Sequence, residues 1–423
     1  MYIIRGVRTA AGGPVDLIIR NGVIDSIIPS GRDRRAEPMP PGALLIPGEG
    51  LLVLPGFVDL HIHLDKAFLR DELPEHDGTL AAAIRAFRER KARYTPEDVE
   101  ARAVRLIRSS VAAGTTKIRT HVDIDSAAGL VALQGIRRAR AACSGLCEIQ
   151  IVAFPQEGLI SDPGAKRLME QAVAQGVDAV GGIPHWEADP DDQRAHVRFC
   201  FDLAGASALP VDMHVDESDD GNIRTLEMVV DETVSRGWEG RVTVGHVCAL
   251  AAADHEYAAR VIAKCRAAAV TVVSNPTTNL FLQGRHDRGL IRRGTTRISE
   301  FRAAGVNLCF GQDNIVDAFY PFGRGDMLEV AFVSAHAAHL SSDDDLRYAL
   351  DCITEAPATA WGVKTYGVRQ GVQADLALYR AGSWPQVLQQ QRPPELVFYK
   401  GDPVARSLVS TMIGRDEVLS AIR

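Results

Sequence analysis

The sequence predicts a closed (β/α)8 barrel of the TIM type, an α/β fold, flanked by a small β-sandwich domain formed by both ends of the chain. Three observations predict it. Eight short apolar runs each end in polar residues, helix-length stretches separate several of them, and strand-and-turn segments of a different style lie outside them. Alternating strands and helices give a parallel sheet covered by helices. Eight such units in about 300 residues suit a barrel whose active site lies at the C-terminal strand ends. The competitor, a doubly wound open sheet, would not usually set chemistry-bearing residues at so many separate strand ends. The expected partition is residues 1–55 and 363–423 for the small domain and 56–362 for the barrel.

In chain order, residues 1–54 contain strand-like pieces such as Leu17 to Ile24, with Asn21-Gly22 as a hairpin turn. Gly12-Gly13-Pro14 and Arg32 to Pro41 read as surface loops. The first barrel run closes on Pro55-Gly56-Phe57-Val58-Asp59-Leu60-His61-Ile62-His63-Leu64-Asp65. The others are Thr116 to Asp123, Ile149 to Glu157, Val177 to His185, Leu209 to Glu217, Arg241 to Cys248, Val270 to Asn275 and Asn307 to Asn314. Pro96 to Ala113, Ala165 to Gln175, Arg224 to Arg236 and Asp254 to Ala267 carry the helical pattern between them. Ala374 to Tyr379 and Leu396 to Gly401 return to the style of the N-terminus, with Lys400-Gly401-Asp402 as a second turn.

At 423 residues, 46% hydrophobic and 24% charged, the chain can build one large core. A formal charge of −7 and a pI near 6.0 argue against nucleic-acid binding. Neither a signal-peptide pattern nor a membrane-length apolar run occurs, and seven scattered cysteines suit reduced thiols, so a cytoplasmic location is expected. There is no His-Glu-x-x-His helix, Walker loop, Gly-x-Ser-x-Gly turn or Pro-Cys-x-x-Cys deaminase signature.

Alternation along the first strand puts His61 and His63 on one face, where two imidazoles can bind one cation. The fifth strand ends in His214-Val215-Asp216-Glu217, the sixth in Gly245-His246-Val247 and the eighth in Gly311-Gln312-Asp313-Asn314. A lone histidine here is as readily a polar residue lining the barrel mouth. Histidines and a carboxylate from four separate strand ends argue instead for a divalent-metal site and a metal-dependent hydrolase.

These motifs, with Arg119-Thr120-His121-Val122-Asp123, Val152-Ala153-Phe154-Pro155-Gln156-Glu157-Gly158, Ile183-Pro184-His185, Leu282-Gln283-Gly284-Arg285, Arg292-Arg293-Gly294 and Cys309-Phe310-Gly311, are similar to the amidohydrolase superfamily and in particular to its cytosine deaminase branch. The resemblance spans nearly the whole chain. It implies metal ligation by His61, His63, His214 and Asp313. Two-metal members use a carboxylated lysine at the end of strand four; Gly182-Ile183-Pro184-His185-Trp186-Glu187 has none, so one divalent ion, Fe(II) or Zn(II), is expected. By the same resemblance Asp313 serves as base for the attacking water, Glu217 protonates a ring nitrogen, and His246 hydrogen-bonds the water or the tetrahedral intermediate. A fourth histidine ligand is the alternative role for His246. Gln156 reads the substrate edge, Phe154 and Trp186 supply walls, and His121 and His185 support the site without being ligands.

The departures from the branch pattern are Asn314 where a carboxylate is usual and Phe319 in place of a tryptophan. Both could admit a ring substituent. The implied activity is hydrolytic deamination of a free cytosine-like base, cytosine or 5-methylcytosine to uracil or thymine plus ammonia. The alternative is another cyclic amidine or triazine: isocytosine, creatinine, isoguanine or an N-alkyl ammelide. A barrel that has lost its activity is disfavoured because the ligand positions are all kept. The implied partners are a small heterocyclic substrate and other copies of the chain in a homo-oligomer, with no nucleic acid and no membrane.

Overall fold

The computed structural model describes residues 1–10, 12–31, 40–73 and 79–412. Its strands, in chain order, are β1 (Tyr2–Thr9), β2 (Gly12–Arg20), β3 (Val23–Pro29), β4 (Leu44–Pro47), β5 (Leu52–Pro55), β6 (Phe57–Ile62), β7 (Thr115–Asp123), β8 (Glu148–Phe154), β9 (Ala179–Val180), β10 (Val211–Val215), β11 (Val242–His246), β12 (Thr271–Ser274), β13 (Leu308–Phe310), β14 (Leu376–Tyr379), β15 (Leu396–Tyr399) and β16 (Asp402–Arg406).

Strands β6 to β13 pair in sequence order, every pair parallel. Parallel strands covered on both faces should be apolar throughout. Accordingly β6, β7, β10, β11, β12 and β13 are buried along their whole length. The barrel shuts where the chain returns to its first strand. Ile62 bridges Asp313, the Asp313 amide donates to His61 O at 2.7 Å, and the His63 amide donates to Asp313 O at 3.1 Å. Strand four is much shorter than the expected Val177 to His185, because Pro184 opens a 3-10 turn, although the Gly181 amide still donates to Ala153 O and Gly182 O still accepts from the His214 amide.

The expected helices form at Pro96–Ala112, Ala165–Ala174, Thr225–Ser235 and His255–Ala267. The first of these starts where the sequence says it must: Thr95 caps it by accepting from the Asp98 amide at 3.2 Å, with Pro96 in the first turn. An additional helix, α1 (Leu80–Lys91), lies over the mouth of the barrel and was not anticipated. Among the described residues no helix is long and apolar enough to cross a membrane, and all seven cysteines are buried and unpaired.

Strands from both ends of the chain join a second sheet in the order β16-β15-β14-β5-β1-β2-β3, with β4 added on β1. The sheet curls around its own core of Ile4, Val7, Leu17, Ile19, Ile24, Val53, Leu376 and Phe398, bringing its extremes together. The two expected hairpin turns thereby meet. Asn21 and Gly22 have φ of 51° and 81°, Lys400 and Gly401 φ of 50° and 82°, the pattern of a two-residue primed turn. A methyl group built on Gly22 would lie 3.0 Å from Lys400 O. The expected loop at Gly12-Gly13-Pro14 is instead the start of β2, where Thr9 faces Gly12 and Arg8 faces Pro14 across an irregularity in the ladder that tolerates a proline. The other expected loop, Arg32 to Pro41, falls largely outside the described residues.

Candidate active site

Four side chains converge over the C-terminal end of the barrel. His61 Nε2 and His63 Nε2 each lie 3.1 Å from His214 Nε2, and 3.6 and 3.3 Å respectively from Asp313 Oδ1. These four separations are each close to the edge, about 3.3 Å, of a tetrahedron around an ion with metal–nitrogen bonds of about 2.0–2.1 Å. His63 Nδ1 donates to His121 O at 3.2 Å, which fixes the tautomer and leaves the Nε2 lone pair facing the centre. Burial, reinforced by the neighbouring histidines, holds His61 and His214 well below the ordinary imidazole pKa, so their rings are neutral. A single proton could serve one of the two histidine pairs but not both. A divalent cation serves every one of these atoms, and the residues therefore fit a metal ion.

Backbone geometry aims these groups. Asp216, His246, Val247 and Asp313 all adopt left-handed conformations, with φ of 51°, 71°, 55° and 64°. Such conformations are uncommon for any residue with a Cβ and costly for a β-branched valine. Each sits where a strand ends and the chain turns across the mouth. Gly245 and Gly311 let the His61 ring sit flush against the barrel wall: a methyl group on Gly245 would fall 2.6 Å from His61 Cε1, and one on Gly311 2.8 Å from His61 Cβ. Beneath the ring, Asp59 accepts from the His61 and Gln312 amides at 3.1 and 3.3 Å, and burial pushes its carboxyl up to about 7. His121 packs 4.2 Å from the His61 ring, with Asp212, paired to Arg119 at 2.8 Å, lying 3.6 Å away.

His246 stands on the other side of Asp313, its Nδ1 4.0 Å from Asp313 Oδ2 and 3.3 Å from Glu217 Oε1. Its ring, neutral because burial lowers its pKa to about 4, is held by Asn279 Nδ2 at 3.1 Å and Asn275 Nδ2 at 3.4 Å. With His61, His214 and Asp313 it forms a second possible ligand set whose atoms all lie within 4.8 Å of one another.

The two carboxyl groups are driven apart. Burial, and then the charge of Asp313, raise Glu217 well above its ordinary range, while Asn279 Nδ2 donates to its Oε1 at 3.2 Å. Burial acts in the same direction on Asp313, but His246, His63 and Lys66 outweigh it and hold that carboxyl below its usual range. The two carboxyl groups are thus shifted in opposite directions within one site.

Around this centre, the Phe154 ring stacks on His214 at 4.0 Å and Gln156 is buried beside it. Asn314 donates from Nδ2 to Asp317 Oδ2 at 2.7 Å, which ties up that donor. Phe319 is buried and stacks at 5.2 Å on Phe87 of α1. Trp186 lines a cleft of about 320 Å³ at the mouth with Arg85, Arg88, Glu157 and Ser161. His185 is a neighbour without a polar partner, its pKa lowered to about 3 by burial. Sequence reasoning gave no role to Lys66 or Asn279, although both stand in segments that resemble the branch, and missed Lys91, Asn275 and Phe87. The two asparagines could have been noticed, since Asn275 ends the seventh apolar run.

A sequence model of the amidohydrolase family matches residues 46–405. The chain belongs to the amidohydrolase family. This amidohydrolase is 31% identical over 408 residues to a pterin deaminase of Rhizobium rhizogenes, covering 94% of this chain and 91% of that one. It is 29% identical over 398 residues to the N-isopropylammelide isopropyl amidohydrolase of Pseudomonas sp. strain ADP, covering 89% and 94%. The structure of 5-methylcytosine deaminase from Klebsiella pneumoniae liganded with 5-fluorocytosine superimposes with a TM-score of 0.91 and 35% identity, over 97% of this chain and 99% of that one. The branch expected from the motifs agrees with these relatives.

Proposed function

We infer that the protein is a metal-dependent hydrolase that releases ammonia from a free cytosine-like heterocycle, with cytosine and 5-methylcytosine as the first candidates. The observation that carries this reading is the placement of Glu217, held by Asn279 Nδ2 at 3.2 Å and 3.3 Å from His246 Nδ1, beside Asp313 at the edge of the histidine cluster. The likeness to 5-methylcytosine deaminase supports it.

His61, His63, His214 and Asp313 would hold a single ion, Fe(II) or Zn(II). The only carboxylate at the end of strand four, Glu187, is spent on the Leu159, Ile160 and Ser161 amides and on His196. The ion supplies Lewis acidity and a water ionised near neutrality rather than at a pKa of about 15.7. Asp313 faces the histidines with Oδ1 and keeps Oδ2 without a hydrogen-bond partner, free to take a proton from water. His246 is placed to hydrogen-bond the incoming oxygen. Glu217 gives its proton to a ring nitrogen, which makes the amino-bearing carbon more electrophilic; the proton that Asp313 took from water passes to the departing nitrogen, and the hydroxyl proton lost as the ring carbonyl forms restores Glu217 to its acid form. Water plus amidine becomes ring carbonyl plus ammonia.

A second reading, a bicyclic pterin-like ring, is favoured by the pterin deaminase relative. The test is ammonia release by Fe(II)- or Zn(II)-loaded protein from cytosine, 5-methylcytosine, isocytosine, creatinine, isoguanine, ammelide and pterin. Turnover of a cytosine supports the first reading and turnover of pterin alone the second. Silence on all seven rejects both.

A further inference from the structure

We propose that Lys66 is a substrate-binding and specificity-determining residue. It donates to an oxo group on the ring and forces Gln156 to present its amide N–H groups to that same edge. The inference deepens the reading above, and rests on it only for the location of the ring.

Lys66 is 1% exposed, in the turn that follows β6. A buried ammonium is costly unless its donors are met. Two are: Nζ lies 2.9 Å from Asp123 Oδ1 and 2.5 Å from Gln156 Oε1. The third has no acceptor among the described residues. The ammonium sits 5.4 Å from the Phe154 ring centroid and 5.3 Å from that of Phe319, the two rings assigned as walls of the substrate pocket. Phe154 in turn stacks on His214, so the ammonium lies beside the histidine cluster, between the two rings assigned as walls.

The turn is fixed before any ligand arrives. Arg102 Nη1 donates to Asp65 O at 2.6 Å and Ala67 O at 3.1 Å, and Asp65 Oδ2 accepts from the Asp123 amide at 3.1 Å. Asp123 is itself shared with Lys91 at 3.1 Å, so Lys66 has no carboxylate to itself.

Gln156 could in principle offer its oxygen or its NH2 group to a ring. An ammonium has only donors, so the amide oxygen must face Lys66, and NH2 is what remains. The edge that reads the ring is therefore a pair of donors, one of them charged. It suits a carbonyl or ionised oxo group, as in a pyrimidinone, a lactam or an oxotriazine, and leaves a ring that offers only C–H or N–H there with unmet donors.

The test is equilibrium binding of two rings that carry no amino leaving group, pyrimidin-2-one and pyrimidine, to metal-loaded wild type and to Lys66→Met and Lys66→Arg. A charge-assisted hydrogen bond sets the expected preference of wild type for pyrimidin-2-one at about ten- to a hundredfold. Lys66→Met should reduce that preference to within about threefold with the metal content unchanged, and Lys66→Arg should restore part of it. Because the preference is a ratio within one protein, partial misfolding lowers both affinities and leaves it unmoved. A wild type without the preference, or a Lys66→Met variant that keeps it, overturns the proposal. If pyrimidin-2-one is preferred through Lys66 while no ring in the ammonia assay turns over, the deaminase reading falls and this one stands.

Discussion

Replacing Glu217 by glutamine tests the proton carrier directly. The variant keeps the side-chain length and an acceptor for Asn279 Nδ2, now 3.2 Å from Glu217 Oε1, but it has no proton to give. Positioned proton transfer contributes about 10²- to 10⁴-fold, equivalent to about 2.7–5.4 kcal/mol of activation free energy at 1.36 kcal/mol per tenfold. The expected outcome is a fall in kcat of that size, KM within a few fold and an unchanged metal content, read by steady-state ammonia release and elemental analysis. The pH profile adds a signature. Glu217 is raised and acts as its acid form, so wild-type activity should fall as pH rises through its pKa. Asp313 is depressed and acts as its anion, so the acid-side loss should lie below the ordinary carboxylate range. The glutamine variant should lose the alkaline limb and keep the acid one. A normal kcat, or an unchanged alkaline limb, refutes the assignment.

His61→Ala should lose metal and activity together, and full metal occupancy in the variant would reject His61 as a ligand. Phe319→Trp should raise KM for 5-methylcytosine more than for cytosine if the ring stacked on Phe87 bounds the 5-position, whereas equal changes would remove it from the specificity argument. Lys91→Met should cost about 3–5 kcal/mol in urea unfolding, because it leaves the buried Asp123 and Asp125 carboxylates and Glu157 without their shared ammonium. Against burial, Lys66 and Lys91 together hold Asp123 below its ordinary range, and the variant removes one of the two. That contribution is present above the unfolded carboxylate pKa and is lost as pH falls through the depressed folded value, so the loss should be full at pH 7; a loss below about 1 kcal/mol there would contradict the network.

Much of the centre was legible because its residues interrupt apolar runs. Two histidines spaced by one residue at the end of a buried strand, and an aspartate after Cys309-Phe310-Gly311, have few reasons to be there except chemistry. The lysine network was not legible. Lys66, Lys91 and Asp123 lie on three different segments, and pairing between such segments leaves no periodic trace. Helix α1 looks in sequence like any amphipathic helix, so nothing marked Phe87 as the partner of Phe319. Gly12 to Pro14 read as a loop because glycine and proline usually break strands, yet an irregular ladder at Arg8 and Thr9 accommodates them. Trp186, read as a wall from its position at a strand end, belongs to a 3-10 turn that opens onto the mouth cleft.

The seam at which the barrel shuts is also the seam across which its cluster is assembled: the hydrogen bonds that join residue 313 to residues 61 and 63 run between the backbones of the same three residues whose side chains face the centre. During synthesis on the ribosome the two N-terminal histidines emerge long before their carboxylate partner. A chain stalled before the eighth strand can neither close its cylinder nor complete the set of donors. An ion held by this set would therefore be bound only by a finished barrel, and would fasten the first strand to the last.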